Sequence, residues 1–345
     1  MSSSLLLIAD PGAPAALAQD LAQTLPEAMA GSSSSSREWT ISVLEEAYHL
    51  NEQATLTEVM DGVDPASQPQ DVVVYLTDLP RRDGTLPVVA DISIARRFGV
   101  VSLACVGGLF ISRRVGDMVK SVVAEVDDQS DRPSAVGKLT RTEDGQSVRY
   151  TAPPAFARLR LLIGMVYANR PWRLAAGMSR VMMATFATGA VSLAYPTIWQ
   201  LSATMGPWRL SVVTVLATAA MVGWLIVNHK LWERPDSSVD RERAALYNAS
   251  TAVALTIGVV VLHLTSFVLL VLTAWWTLPP TLLEHNIGHG VGPSDYLRLA
   301  WLVAAVATLG GALGSGLEDD QAVKQAAYGA RQQQRFQRSE PDLND

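Results

Sequence analysis

Three acidic residues follow predicted strands in the N-terminal third of the chain. Asp10 follows SLLLIA, Asp78 follows DVVVYLT and Asp91 follows PVVA. The carboxyl ends of parallel strands meet at one edge of an open sheet, which is where such sheets bind ligands. We call this edge the rim, and we expect four further residues on it: Gly12, Thr77, Arg81 and Arg82. Carboxylate oxygens suit Mg²⁺ and arginine forks suit phosphate, so these residues could together bind a divalent cation and a phosphorylated ligand.

A purely local role for these carboxylates stays open. Asp10 and Asp78 can each accept hydrogen bonds from their own loop backbone as Asx turns, a common use of aspartate after a strand.

Several well-known nucleotide and nucleophile motifs are missing from the sequence. The segment DPGAP at 10–14 has one glycine where a dinucleotide fingerprint needs three, and its two prolines lack N–H donors. Gly107 and Gly108 are better explained as a turn. The chain has no G-x-x-x-x-G-K-[ST] and no G-x-S-x-G segment. The single cysteine, Cys105, lies in an apolar run, which indicates a buried, unreactive thiol.

Histidines occur at two places in the sequence where they could have a chemical role. Glu284, His285 and His289 form E-H-x-x-x-H, which would place two imidazoles on one helix face for Zn²⁺, but neighbouring glycines favour a solvated loop. His263 lies near the middle of a long apolar run. It could face a cavity or, as a neutral imidazole, hydrogen-bond to a neighbouring helix.

The N-terminal residues alternate between strand and helix patterns. We therefore expect a cytosolic α/β domain over 1–126, with an open, mostly parallel sheet and Rossmann-like layering of helices on both faces. The predicted strands are 4–9, 39–44, 71–76, 87–90 and 100–104, and the predicted helices start at 14, 53 and 112. The serines at 32–36 predict a flexible loop.

Two segments connect this domain to the rest of the chain. Residues 127–154 are rich in Asp, Ser, Gly and Pro, which predicts a linker. Residues 155–170 predict a juxtamembrane amphipathic helix on the inner leaflet. Its expected lipid-facing side chains are Phe156, Leu159, Ile163, Val166 and Tyr167.

The composition of the whole chain points to a membrane protein. Only 17% of the 345 residues are charged, against about 25% in soluble domains. One cysteine excludes a disulfide-built fold, and a net charge of −6 gives no overall attraction to nucleic acid. Four apolar runs, about 181–202, 210–228, 251–278 and 297–317, approach the roughly 20 residues that cross a bilayer. We therefore expect an all-α four-helix transmembrane bundle over 171–317, followed by a polar cytosolic tail at 318–345.

The distribution of basic residues predicts the orientation of these spans. Lys and Arg are concentrated before the first run, between the second and third, and after the fourth, whereas residues 279–296 contain none. The start MSSSLLLIADPG lacks the basic region and the apolar length of a signal peptide. We therefore expect a multi-pass protein of the inner (plasma) membrane with both termini in the cytoplasm.

The segments LLLIADPG, VVVYLTDLPRR, PVVADIS and VVSLACVGG, followed by four apolar runs, resemble a family of uncharacterised bacterial integral membrane proteins. LTDLP at 76–80 is the most specific element. The resemblance implies an N-terminal α/β domain and four transmembrane helices, and no established activity. Some proteins of this kind carry the label methylenetetrahydrofolate dehydrogenase. The Gly-rich nucleotide turn is missing here, and Lys120 and Lys138 lie outside the rim.

Three classes of function remain open on the sequence. The first is a cytosolic ligand- or protein-binding regulatory module tied to the membrane, with a homo-oligomer or another membrane or cytosolic protein as partner. The second is an oligomeric transporter or channel, for which His263 is the intramembrane polar candidate. The third is a membrane-bound enzyme linked to a metal, a folate or a nucleotide.

Overall fold

The chain divides where its composition changes. The computed structural model describes residues 2–30, 38–48, 50, 54–84, 86–107, 110–127, 139–154, 157–169, 179–235 and 240–315. These residues fall into an N-terminal unit that ends at Asn169 and a helical unit that follows it. The predicted serine loop at 32–36, Gly108, Phe156 and the tail at 318–345 lie outside the described residues.

The N-terminal unit is built on one mixed sheet. Its strands are β1 (Ser2–Ala9), β2 (Glu38–Glu45), β3 (Val72–Thr77), β4 (Arg82–Asp83), β5 (Leu86–Ser93), β6 (Phe98–Ser102), β7 (Thr140–Asp144) and β8 (Ser147–Thr151). Within the described residues the order is β2-β1-β3-β6-β5-β8-β7, and β4 pairs with β5 to one side. The apolar runs predicted from the sequence therefore supply the central strands.

The prediction of a mostly parallel sheet is correct for only part of this sheet. The strands β2, β1, β3 and β6 are parallel, whereas β5, β8 and β7 pair antiparallel with their neighbours. The physical reason is the connection between β5 and β6. It consists of four residues, 94–97, and a parallel pair needs a crossover of a dozen or more.

Helices cover both faces of the sheet. They are α1 (Ala13–Ala30), α2 (Leu56–Val63), a 3₁₀ turn (Pro65–Ser67), α3 (Leu103–Val106), α4 (Ile111–Val126) and α5 (Ala157–Ala168). Helix α2 packs Val59 and Val63 onto Ile8, Tyr75 and Val100. Helices α1 and α4 pack on the opposite face, where Gly99 lets Val122 of α4 approach β6 closely.

The predicted linker at 127–154 is wrong for its second half. Strands β7 and β8 form a hairpin that extends the sheet through β5, around a turn in which Gly145 has φ +59°. Residues 128–138 lie outside the described residues. Asp144-Gly145 between alternating strands is a strong hairpin pattern. Reading the Asp, Gly and Ser content as a linker overlooked it, so the α/β unit does not end at 126.

Helix α5 confirms a helix in 155–170, but one side of it belongs to the α/β unit. Leu161, Gly164 and Met165 are buried, and Gly164 lies directly against the backbone of Ala104 in α3. Val166, predicted to face lipid, is also buried. The apolar content is spread around the helix, so sequence spacing alone did not identify the packed side.

The helical unit contains long apolar helices. They are α6 (Ser179–Ser192), α7 (Pro196–Thr204), α8 (Pro207–Asn228), α9 (Asp240–Thr277), α10 (Pro280–Ile287) and α11 (Pro293–Ser315). Among the described residues, α8 and residues 241–277 of α9 are long and apolar enough to cross a membrane. Helices α6 and α7 add a third candidate if they are counted as one span.

The structure does not confirm four straight spans. The first predicted span, 181–202, is bent by 90° between α6 and α7, where Pro196 begins a new helix. The fourth, 297–317, falls in α11, which carries Asp295 and Arg298 in its first turns and is not among the candidate spans of the described residues. Helix α11 packs at the centre of the unit, with Leu299, Ala300 and Val303 fully buried.

Candidate functional site

Asp10 lies in a closed hydrogen-bond network at the carboxyl ends of β1 and β3. Its side chain is fully buried. The Tyr75 hydroxyl donates to Oδ1 over 2.5 Å, and the Thr77 hydroxyl donates to Oδ2 over 2.7 Å. The Asp10 N–H donates to the carbonyl of Leu76 at 3.0 Å. Asp10 therefore ties the β1–α1 loop to β3, and both of its oxygens already accept hydrogen bonds from the protein.

The same network fixes the loop that follows β3. The Leu79 N–H donates to Thr77 Oγ1 at 3.2 Å, and the Ser102 hydroxyl donates to the Leu79 carbonyl at 2.6 Å. At the end of the loop, the Cys105 thiol and the Val88 N–H both donate to the Arg81 carbonyl. The carbonyl of Arg81 is thus held by two neighbouring segments, α3 and β5, so its side chain projects from a fixed point.

Arg81 and Arg149 share a single buried carboxylate, that of Asp91. Arg81 donates from Nη2 to Oδ2 over 3.0 Å, and Arg149 donates from Nε to Oδ1 over 2.7 Å. Arg149 also donates from Nη1 to Asp83 at 2.7 Å. These hydrogen bonds, Asp91 first, raise the pKa of Arg149. The register explains the contact, because Asp91 and Arg149 are directly paired on β5 and β8.

These arginines line a pocket beside the first turn of α2. The pocket encloses about 130 Å³ and is lined by Ala54, Thr55, Arg81, Arg82, Val88, Asp91 and Arg149. Arg81 is only 8% exposed, and its Nε–H has no hydrogen-bond partner among the described residues. An unsatisfied buried donor on a charged group is costly. We call this site the arginine pocket.

The electrostatic balance of the arginine pocket is positive. Three arginines line it, whereas Asp91 is the only carboxylate among the described lining residues. Asp83, which is not among the lining residues, pairs with Arg149 and offsets part of its positive charge. Thr55 caps α2 in a capping box with Glu58, so the α2 N-terminus is already satisfied on that side. The surplus charge therefore comes from the arginines.

The predicted rim residues do not form one site. Asp10 and Thr77 belong to the buried network, whereas Arg81, Arg82 and Asp91 belong to the arginine pocket. Two strands, β3 and β6, separate β1 from β5, which places the strands that carry Asp10 and Asp91 about 14 Å apart.

The remaining rim residues stand outside both groups. Gly12 adopts φ +98° at the start of α1, a conformation that favours glycine, and Asp78 is half-buried after β3. No group of three or more His, Cys, Asp or Glu side chains in the described residues is arranged to hold a metal ion. The alternative of a divalent cation held by the rim carboxylates therefore gains no support from the described residues.

Sequence reasoning missed two residues that matter here. Arg149 was placed in a linker, although the Asp144-Gly145 turn could have identified its strand. Tyr75 was counted as an apolar strand residue, although its hydroxyl reaches Asp10. A tyrosine in a run of valines carries a polar group that needs a partner when buried, and this was the available clue.

His263 lies in a polar contact between two helices. Its Nδ1 is 3.0 Å from the hydroxyl of Thr308, and both residues are buried. The Thr308 hydroxyl oxygen also lies 2.8 Å from the Ala304 carbonyl, one turn earlier in α11. The His263–Thr308 contact is the interhelical hydrogen bond that the sequence left open as one of two alternatives.

The E-H-x-x-x-H segment does not bring its side chains onto one helix. Glu284 and His285 lie in α10, which ends before Gly288 in the left-handed conformation, and His289 follows that turn. The Nδ1 of His289 is 3.0 Å from the carbonyl of Gly290. All three side chains are exposed, and the geometry offers no shared zinc position.

No sequence family, curated protein or solved structure matches the chain. The chemistry of the site therefore follows from its geometry alone.

Proposed function

We propose that the chain is a membrane-anchored binding protein whose α/β unit holds a small oxyanion in the arginine pocket. One observation carries the proposal. Arg81, Arg82 and Arg149 line one small pocket in which Asp91 is the only carboxylate among the described residues, and the buried Arg81 guanidinium has a donor, its Nε–H, that no described residue accepts from. An oxyanion accepts such hydrogen bonds and balances the surplus positive charge.

The size of the pocket favours a small ligand or the anionic end of a larger one. Its 130 Å³ holds several water molecules, but pockets that enclose drug-sized ligands measure about 300–1,000 Å³. Phosphoryl, sulfate and carboxylate groups are compatible with this volume. The planar fork of arginine suits phosphate best, because it can donate two parallel hydrogen bonds.

The lining of the pocket favours binding over catalysis. Its polar residues are Thr55, Arg81, Arg82, Asp91 and Arg149, and both oxygens of Asp91 are engaged by guanidinium groups. Asp91 therefore lacks a free oxygen to act as a general base or to hold a cation. A regulatory module that senses an anion agrees with these contacts better than an enzyme.

The anchoring part of the proposal depends on the helical unit. The candidate spans support a multi-pass protein, to which α11 would contribute a fourth, centrally packed helix. The placement of both termini in the cytoplasm rests on the basic residues between and beside the apolar helices. Exposed Leu, Val and Trp side chains on α8 and α9 suit contact with lipid or with a second copy.

Phosphate-dependent stabilisation of the full chain tests this function. In detergent, inorganic phosphate should raise the melting temperature beyond the effect of chloride at equal ionic strength, because a ligand that binds the folded state stabilises it. The variant Arg82→Gln should weaken phosphate affinity about tenfold or more, since a charged hydrogen bond contributes about 1.5–3 kcal/mol.

Arg96→Gln is the matched control, because Arg96 is exposed in the β5–β6 turn and carries the same charge. Equal loss of affinity in Arg96→Gln and Arg82→Gln, or no difference between phosphate and chloride, would contradict the proposal.

A further inference from the structure

Helix α5 has an apolar face that the α/β unit does not cover. Leu161 and Met165 pack inward, but on the other side Leu159 is 51% exposed and Ile163 is 39% exposed. These two side chains are four residues apart, so they lie on one face of the helix. The face therefore offers apolar surface to something outside its own unit.

The first turn of α4 approaches α5 at Gly107, where a Cβ would lie 3.2 Å from Arg160 and 3.5 Å from Arg114. Phe110 precedes this turn and is the most exposed phenylalanine among the described residues, at 82%. It begins α4 in the left-handed conformation, with φ 53°. Cys105 and Val106, at the end of α3, contact α5. Arg160 donates from Nε to the Cys105 carbonyl at 2.7 Å and from Nη2 to the Val106 carbonyl at 2.9 Å. The structure thus presents an aromatic ring to solvent near the apolar face.

Basic side chains surround these apolar groups. Arg113 and Arg114 are exposed in the first turn of α4, and Arg158 is exposed on α5. Acidic side chains on these elements include Asp20 of α1, which accepts a hydrogen bond from Ser112 at 2.8 Å, and Asp117 of α4, which pairs with Lys120 over 3.3 Å. Positive charge therefore outweighs negative charge around the apolar groups.

We propose that Phe110, Leu159 and Ile163, with Arg113, Arg114 and Arg158, form a lipid-binding surface for the headgroup region of an anionic bilayer. Apolar side chains that enter the acyl boundary beside arginines that contact anionic headgroups are the usual means of interfacial binding.

The chain connection favours a bilayer over another occupant. Ten residues, 169–178, separate α5 from the apolar helix that begins at Ser179, and Arg170 and Arg173 are among them. A surface tethered so closely to membrane helices meets lipid headgroups at high effective concentration. The proposal needs only the membrane location of the helical unit and is independent of anion binding in the arginine pocket.

Site-specific labelling of the full chain in vesicles tests this surface. Phe110→Cys and Leu159→Cys would each carry a polarity-sensitive dye in vesicles of phosphatidylcholine and phosphatidylglycerol that contain a spin-labelled acyl chain as quencher. Native Cys105 is buried, which raises its thiol pKa and directs the label to the introduced cysteine. Leu44→Cys is the matched control, because Leu44 is a 37% exposed leucine on β2, in the same unit.

We expect the emission maxima of the dyes at 110 and 159 to shift to shorter wavelength and their fluorescence to be quenched by the spin-labelled lipid. The dye at 44 should show neither change. Equal quenching at 44, 110 and 159 would overturn the proposal. The proposal would also be overturned if the dyes on two protein copies quenched each other while the spin-labelled lipid had no effect. That result would assign the surface to contact with a second chain.

The lipid charge is tested in the same system. Replacing phosphatidylglycerol with phosphatidylcholine, or introducing Arg113→Gln with Arg158→Gln, should reduce the quenching at 110 and 159. Unchanged quenching in neutral vesicles would overturn the assignment to an anionic surface.

Discussion

Arg149 donates its Nε–H to Oδ1 of Asp91 over 2.7 Å, directly across the paired strands β8 and β5. Arg81 holds the other oxygen of the same carboxylate, and the pair is 9% and 5% exposed. The one carboxylate among the described lining residues is thereby engaged within the protein, and the three arginines of the lining still outnumber it. This arrangement leads to the first prediction.

Asp91→Asn should destabilise the α/β unit by about 3–5 kcal/mol, because it leaves the buried Arg81 guanidinium without its counter-charge. Hydrogen–deuterium exchange of peptides from β5 and β8 in the full chain measures this loss. Saturating phosphate should restore more protection in the variant than it adds to the wild type, since a bound anion replaces the missing charge.

Asp83→Asn is the control for this experiment, because Asp83 pairs with Arg149 but is 59% exposed. Exposed pairs contribute about 0–1 kcal/mol, so exchange should change little. The account fails if the two variants lose equal protection.

The central strands could be predicted from the sequence because their side chains are apolar without interruption. Residues 72–77 are all buried, and such a run has few alternatives to an internal strand. The hairpin at 140–151 was harder to recognise. Its first strand is mostly exposed and polar, so the pattern resembled a linker and only the Asp-Gly turn distinguished it.

A second prediction concerns the attachment of that hairpin to α4. Glu125 is buried, accepts from the Tyr150 hydroxyl at 2.5 Å, and accepts two hydrogen bonds from Arg141. The pKa of Arg141 is raised, chiefly by its hydrogen bond to Glu125. Glu125→Gln should therefore lower the exchange protection of residues 140–151 by about 100-fold, which corresponds to about 3 kcal/mol.

Glu143→Gln provides the comparison, since Glu143 contacts the same arginine over 2.6 Å but is 53% exposed. We expect less than about a fivefold change in protection for this variant. A larger effect for Glu143→Gln than for Glu125→Gln would refute the role assigned to the buried carboxylate.

The third prediction is a pH dependence that arises from Cys105. Burial raises the pKa of this thiol in the folded protein. As pH rises, the Cys105 thiol therefore ionises in the unfolded chain before it ionises in the folded protein. The free energy of unfolding is unaffected by this group below about pH 8.5 and falls as pH rises above that value. Native protein should resist iodoacetamide at pH 9, whereas protein in guanidinium should react at once. Rapid alkylation of the native protein would contradict a buried thiol.

Close packing in the helical unit gives the fourth prediction. Gly311 of α11 leaves no room for a Cβ against Thr185 of α6. Gly311→Ala should therefore destabilise the unit by about 1–3 kcal/mol, measured as a lower melting temperature in detergent.

Gly223→Ala on α8 is matched to it, because a Cβ there has open space, and the melting temperature should stay equal or rise. Equal melting temperatures for the two variants would show that α6 and α11 do not approach as described.

The candidate site was only partly predictable. Arg81, Arg82 and Asp91 were expected on one rim, and all three line the arginine pocket. The expectation that Asp91 follows its strand is wrong, because β5 continues to Ser93 and Asp91 is paired within it. Asp10 was grouped with them because the expected sheet was mostly parallel. Instead, Asp91 comes from β5 and Arg149 from β8, two neighbouring strands that run in opposite directions. The pairing of distant strands decides which charges meet, and it is not encoded in local spacing.

Locating a bound anion tests the central claim most directly. Crystals of the full chain grown with tungstate, an oxyanion with strong anomalous scattering, would show where such a group binds. The account predicts an anomalous peak in the arginine pocket, within hydrogen-bond distance of a guanidinium group of Arg81, Arg82 or Arg149, and its loss in Arg81→Gln. A peak elsewhere with the arginine pocket empty, at a concentration that stabilises the protein, would contradict it.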